Sequence, residues 1–440
     1  MNVSPADTSP PRPRHFRGEQ FTVTVGPMVH GAVCLARLDD GTSLMVDGAI
    51  PGETVAVALH HRKGSLWFAD TAEVLAASPH RVAAPCPYVG TCGGCQLQHV
   101  SYPRQLALKR EIVVDAMRRQ HVVHGEIAVH GMDDPWRYRW RGEFHVVPGN
   151  DGLADAGLGF NRMRSWTAVA VDDCLIHHPR ITDSLPGLRS LVRTVAATSL
   201  TALHLTVGED GAELLLRPKP RDALDAAAID GQALAENDRW STTSTTMRWR
   251  GHSFRVSPES FIQVNWTQMD VLYGLALDGI GACDGATVVD AYAGIGVLAC
   301  ELALRGATVV CIESNRDSAR LGVLNAQMNG CDAAVRYLAE PVEEVVARAG
   351  VGADAVLLDP PRAGCDPRVT AWLALAGPAR IVYVSCDPAT LARDLRMLTV
   401  SGPYTVDSVA VVDMFPQTHH VETVAVLSRS DHAAPPATGG

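Results

Sequence analysis

Val288-Val289-Asp290-Ala291-Tyr292-Ala293-Gly294-Ile295-Gly296 is an apolar run that closes on two glycines one residue apart. Read as the first strand of a parallel sheet and its exit turn, it puts flexible backbone at the carboxyl edge, where an adenosine-type ligand must approach closely. A Gly-x-Gly is weak evidence alone, because an ordinary strand turn has the same look. Its weight comes from Val309-Val310-Cys311-Ile312-Glu313, a second strand ending in an acid that can accept both hydroxyls of a ribose. This is dinucleotide-type geometry without a phosphate loop, which favours S-adenosylmethionine over NAD. Apolar strands at 286–290, 308–312, 354–358 and 380–384 alternate with helical segments, the pattern of a doubly wound parallel sheet.

The third and fourth strands carry the chemistry. Leu357-Leu358-Asp359-Pro360-Pro361-Arg362 delivers an acid into the crevice, and the prolines fix the turn behind it. Asp359 could therefore bond the polar edge of a base. Val384-Ser385-Cys386-Asp387-Pro388 delivers a thiol just before a helix N-terminus, a position expected to lower its pKa. Carbon 5 of uracil is a poor nucleophile until a thiolate adds to carbon 6, so methylation there needs covalent catalysis. Afterwards a base must remove the carbon 5 proton, and Glu422, in Asp413-Met414-Phe415-Pro416-Gln417-Thr418-His419-His420-Val421-Glu422, is the candidate. Cytosine-5 methylation uses the same thiolate, so these residues leave the two pyrimidines open.

A chain of 440 residues predicts two or three cores. Apolar runs at Phe21–Val25, Ser43–Val46, Thr54–Leu59 and Trp67–Val74, broken by Asp40-Gly41 and Pro51-Gly52, predict a small β-barrel over 18–78. Residues 102–120 read as an amphipathic helix, and 133–252 as a mixed, mainly β region. The ends, 1–17 and 431–440, are expected to be tails. No apolar run nears the roughly 20 residues of a membrane span, and the N-terminus lacks a signal-peptide core, so a cytoplasmic protein is expected. The formal charge of −10 argues against indiscriminate phosphate binding, so any RNA contact must be local. The alternating Trp136-Arg137-Tyr138-Arg139-Trp140-Arg141 is a candidate: a strand with aromatics on one face and guanidiniums on the other, serving RNA or simply an edge.

Eleven cysteines without export features read as thiols or ligands rather than disulfides. Cys86, Cys92 and Cys95 lie in Cys-x5-Cys-x2-Cys with paired glycines, and Cys174 is the best fourth ligand. Zinc usually takes two close pairs, whereas three plus one is closer to a [4Fe–4S] cluster; spacing alone leaves the metal open.

From about 18 to 429 the chain resembles the TRAM-containing uracil-5 RNA methyltransferases. The likeness rests on Val46–Glu53 in the barrel, Ser257-Pro258-Glu259-Ser260-Phe261-Ile262-Gln263-Val264-Asn265, Asp-Pro-Pro-Arg at 359–362, Ser-Cys-Asp-Pro-Ala-Thr at 385–390, and the stretch 413–422. The resemblance implies an α/β fold: a Rossmann-like S-adenosylmethionine methyltransferase domain over 101–132 and 253–430, an OB-like TRAM barrel, and a central RNA-binding and iron–sulfur domain over 79–100 and 133–252. It implies Cys386 as nucleophile, Glu422 as proton acceptor, and Gln263, Tyr292, Gly294, Gly296, Glu313 and Asp359 at the cofactor. Val297 and Glu340 fall at two further cofactor positions but depart from the usual polar residues there. Cys86, Cys92, Cys95 and Cys174 match the ligands of a [4Fe–4S] cluster. The expected partner is ribosomal or transfer RNA, methylated by a monomer. A non-catalytic RNA-binding factor is the competing class; it need not bind S-adenosylmethionine.

Overall fold

A computed structural model describes residues 15–195, 200–208, 211, 213–220, 239–241, 243–348 and 352–430. The tails expected at 1–17 and 431–440 therefore lie outside the described residues, apart from 15–17. Six strands form the first sheet: β1 (Gln20–Thr24), β2 (Met28–Val29), β3 (Val33–Arg37), β4 (Ser43–Asp47), β5 (Thr54–Lys63) and β6 (Leu66–Ala76), in the order β1-β5-β6-β4-β3-β2. Alternation buries Leu44, Val46, Val55, Val57 and Leu59 on one face. The Gly26 amide donates to Leu35 O at 2.7 Å and curls the end of β1 against β3. Buried Glu53 clamps the exit, accepting from Arg81 Nε at 2.6 Å and from the Ile50 amide at 2.8 Å.

Helix α1 (Tyr102–Arg119) and strand β7 (Ile127–His130) follow. The start of α1 stays with the first sheet through Leu108, whereas Val113, Met117, Val122 and Ile127 pack into the core of the C-terminal sheet. The central sheet contains β8 (Arg141–Gly149), β9 (Gly152–Asn161), β10 (Ala168–Ala170), β11 (Ala202–Gly208), β12 (Glu213–Lys219) and β13 (Arg239–Ser241), ordered β10-β9-β8-β11-β12-β13. Helix α2 (Pro179–Val195) covers it through Ile181, Leu185 and Leu188, against Phe144, Leu203 and Leu205. The hairpin β14 (Thr245–Trp249) and β15 (His252–Val256) instead packs Met247, Phe254 and Val256 beside helix α3 (Trp266–Ile280) in the C-terminal core.

That C-terminal sheet runs β16 (Thr287–Ala291), β17 (Thr308–Ile312), β18 (Val335–Leu338), β19 (Ala355–Leu358), β20 (Arg380–Ser385), β21 (Tyr404–Val412) and β22 (Glu422–Arg429). Spatially the order is β18-β17-β16-β19-β20-β22-β21-β7. The first five are parallel, and β22 inserts antiparallel between β20 and β21. Helices α4 (Val297–Leu304), α5 (Arg316–Met328), α6 (Val342–Arg348), α7 (Pro367–Ala376) and α8 (Pro388–Thr399) lie between them in sequence. Both sheet faces are covered, Val288 contributing to one core and Val289 to the other, which is why these strands are apolar throughout.

Trp136–Trp140 does not form the alternating strand expected from its sequence. Arg137 adopts φ of 52°, and regular strand starts only at Arg141. Their guanidiniums are engaged within the protein: Arg137 pairs with Asp173 at 2.6 Å, and Arg141 donates to the carbonyls of Ser260 (2.5 Å) and Pro258 (3.0 Å). Those partners come from distant segments, so tertiary bonding overrides the local pattern.

Candidate active site and cysteine cavity

β16 pairs with β17 on one side and β19 on the other, so the strand order reverses there and a crevice opens at the carboxyl ends. Gly294 (φ 54°) and Gly296 (φ 83°) make the turn leaving β16, and Tyr292 is held between them and the strand at φ 69°. A Cβ on Gly296 would sit 2.3 Å from the Tyr337 hydroxyl, so only glycine fits. The Gly294 and Asn315 amides donate to Glu313 at 2.9 and 2.6 Å, fixing that carboxylate at the crevice rim.

Gln263, Tyr292, Gly294, Val297 and Asp359 line one pocket of about 60 Å³ in this crevice. Cofactor-sized sites usually measure several hundred Å³, so most of a nucleoside-sized ligand must lie in the open crevice beside it. Gly296, Glu313 and Glu340 are not among the lining residues, and Glu340 forms an ion pair with Arg348. Two residues the sequence reading passed over complete the wall, Asp290 and Tyr273. Burial pushes Asp290 up to about 8, helped by Asp359 and Glu313, and burial pushes Asp359 up to about 7. Among the described residues no basic side chain offsets either shift. A ligand carrying a sulfonium and an ammonium fits such a pocket, because it supplies the missing positive charge.

Strand register brings Cys386 and Glu422 together. β22 opposes β20 with Ser385 across from Thr423, so the next residues outward, Cys386 and Glu422, face each other at the sheet edge. Glu422 is 4% exposed, and its pKa is raised well above the carboxylate range by burial and then by Asp359, with Arg362 acting the other way. The Cys386 thiol is not lowered, as expected from its place before a helix, but pushed up to about 11 by burial, with Glu422 and Asp359 adding and Arg362 opposing. Helix α8 is already capped: Asp387 accepts from the Ala389 and Thr390 amides at 2.9 Å, taking up donors that were to favour the thiolate.

Cys86, Cys92, Cys95 and Cys174 line a second cavity, of about 320 Å³. Burial raises the Cys95 thiol to about 11 and the Cys174 thiol to about 12, and the neighbouring thiols add to each shift. Among the described residues no three His, Cys, Asp or Glu side chains converge tightly enough to hold one ion. The four thiols share the lining of one cavity without meeting at a single point.

A reversing parallel sheet with a glycine turn, a rim acid and an acidic pocket is the site of a Rossmann-like S-adenosylmethionine-dependent methyltransferase. Known proteins narrow the class. The family model for tRNA (uracil-5-)-methyltransferase matches residues 231–430. An uncharacterized RNA methyltransferase of Gloeobacter violaceus is 36% identical, covering 94% of this chain and 98% of that protein. The 23S rRNA (uracil(1939)-C(5))-methyltransferase RlmD of Aromatoleum aromaticum is 32% identical, covering 89% of this chain and 96% of its own. The fold matches Pyrococcus abyssi tRNA (uracil-54, C5)-methyltransferase with a TM-score of 0.71 at 23% identity, over 92% of this chain and all of that one. The chain belongs to the RNA (uracil-5-)-methyltransferase family and is an S-adenosylmethionine-dependent enzyme acting on carbon 5 of uracil in RNA.

Proposed function

We propose that the enzyme methylates a uridine of ribosomal RNA, with Cys386 as nucleophile and Glu422 as proton acceptor. The observation that carries this is the β20–β22 register, which sets Cys386 opposite Glu422 beside the pocket of Asp359. Cys386 Sγ bonds to carbon 6 of the splayed base, and carbon 5 gains carbanion character. S-adenosylmethionine, when bound, supplies the methyl group. Glu422 then takes the carbon 5 proton, the carbon 6–sulfur bond breaks, and the thiolate is released. Burial and Asp359 raise the Glu422 carboxyl, and the charge of Arg362 works the other way, toward the carboxylate that accepts the proton.

Gln263, Tyr292, Gly294, Gly296, Val297, Glu313 and Asp359 are assigned to the cofactor. Phe261, 66% exposed on the lip of the same pocket, is suited to stack against an unstacked base. Cys86, Cys92, Cys95 and Cys174 would hold a [4Fe–4S] cluster, which stabilises the surrounding loops; the spread of the four thiols favours it over a single zinc ion. Anaerobic purification followed by iron and sulfide analysis tests that assignment, and Cys174→Ser should lose the iron.

The first sheet is read as a TRAM barrel, 79–100 and 133–252 as the central domain, and 101–132 with 253–430 as the catalytic domain of a cytoplasmic monomer. The packing of α1 and β7 supports the split domain, and that of β14–β15 would move its second boundary a few residues earlier. No helix among the described residues is long and apolar enough to cross a membrane. Ribosomal rather than transfer RNA is favoured by the similarity to 23S enzymes over nearly the whole chain. Mapping 5-methyluridine in both RNAs from cells with and without the protein decides it: loss from transfer RNA alone would overturn the ribosomal reading.

A further inference from the structure

The loop between β21 and β22 ends at Glu422, and its consecutive carbonyls are each gripped by a different part of the chain. Asn265 donates to Met414 O at 3.2 Å, Lys109 to Phe415 O at 3.0 Å and Tyr138 to Pro416 O at 2.8 Å. Gln417 O accepts from the amides of Gln96 and Leu97 at 3.0 and 2.9 Å. Gln96 immediately follows the cavity thiol of Cys95, and its side chain extends the connection. Its Nε2 donates to Gly93 O at 2.7 Å inside the cysteine segment, while Oε1 accepts from the His419 amide at 3.3 Å and lies 3.0 Å from His419 Nδ1. The His419 and His420 rings stand 4.2 Å apart, and Arg362 donates to His420 Nδ1 at 3.2 Å. Burial keeps both imidazoles neutral, so His420 can accept that bond.

We propose that Gln96 is a positioning residue: through His419 and His420 it fixes Arg362 at the active site, so that the cysteine segment sets the electrostatics of the nucleophile. This rests on the reading of Cys386 as nucleophile. The groups facing Cys386 are Glu422 at the start of β22, Asp359 and Arg362 after β19, and Asp387 on its own turn, with His30 of the barrel 3.8 Å beyond Asp387. Arg362 is the one cation acting on the thiol in that set, and it also acts on Glu422. Displacing the guanidinium leaves two carboxyl groups unopposed, and the thiolate becomes harder to form. The histidine pair thus carries the effect of a cavity lip into the crevice.

The test is the pH profile of iodoacetamide alkylation at Cys386, followed by peptide mass spectrometry on the full-length, iron-replete protein. Gln96→Ala is compared with the parent, with Arg362→Ala, and with His420→Phe, which breaks the connection outside the cysteine segment. Melting temperature and iron content report folding separately. The expected result is an upward shift of the midpoint in all three variants, with alkylation below the midpoint slowed by about three- to tenfold, half a unit to one unit of pKa. A Gln96→Ala profile that superimposes on the parent while Arg362→Ala shifts would overturn the proposal, as would an unmoved Arg362→Ala. A parallel methylation assay of Cys386→Ser separates the two claims. Retained methylation removes the nucleophile reading itself, whereas lost methylation with an unmoved Gln96→Ala profile removes the relay alone.

Discussion

Lys109 Nζ and Asp413 Oδ1 meet at 2.6 Å with their side chains 1% and 0% exposed, joining residues 304 positions apart. This pair pins α1, which leaves the cysteine segment, to the first residue of the loop that ends at Glu422. Truncating one partner strands the other charge in the core, which typically costs about 3–5 kcal/mol. Lys109→Ala and Asp413→Ala should each lower the unfolding free energy measured by denaturant titration by that order, and Lys109→Met/Asp413→Leu should lose less than the sum. Strict additivity in the double variant would show that the pair does not act as a unit.

Removing the nucleophile and removing the base should leave different traces. Cys386→Ala is expected to abolish methylation without forming any covalent RNA complex. Glu422→Gln should form the adduct and fail to resolve it, so a protein–RNA species resistant to denaturing gels accumulates. Normal turnover by Glu422→Gln with no such band would count against the assigned base.

Asp290 and Asp359 titrate at about 8 and about 7 because burial opposes their ionisation. A folded-state pKa above the unfolded one favours folding at low pH, and the advantage disappears as pH rises through the folded value. The ligand-free protein should therefore lose stability between roughly pH 4 and 8 from this source. Cationic S-adenosylmethionine has the opposite preference, so its affinity should rise from pH 6 to 9 and its binding should release protons. Titration calorimetry in buffers of different ionisation enthalpy measures that release. Asp290→Asn should reduce it, and a pH-independent affinity would contradict the charge argument.

The free thiol of Cys386, raised to about 11, should react slowly with alkylating reagents at neutral pH and faster as pH rises. Asn in place of Asp359, or Gln in place of Glu422, removes a nearby negative charge and should move the midpoint down. An upward move in either variant would mean that the carboxyl stabilises the thiolate through a bond rather than repelling it.

Much of this protein is legible along the chain because its signals are local. Strand periodicity in Thr54–Leu59, an apolar run such as Val288–Ala291 and the helical spacing of 102–119 depend on which neighbours a residue has in sequence. They led to the strand-rich N-terminal region and the doubly wound sheet, and local motif chemistry singled out Cys386, Glu422, Asp359 and the four thiols as candidates. Asp290 is legible too, as an acid inside an apolar strand. The tertiary structure alone decided what depends on long-range packing. It paired Arg137 with Asp173, turned Arg141 onto the Ser260 carbonyl, paired Glu340 with Arg348, and brought Gln96 to His419 across 323 positions. It also raised the Cys386 thiol instead of lowering it, because a pKa reflects every charge and all the water within reach. A residue's chemistry can be read from its type and spacing, but its electric field and partners exist only once distant segments have met.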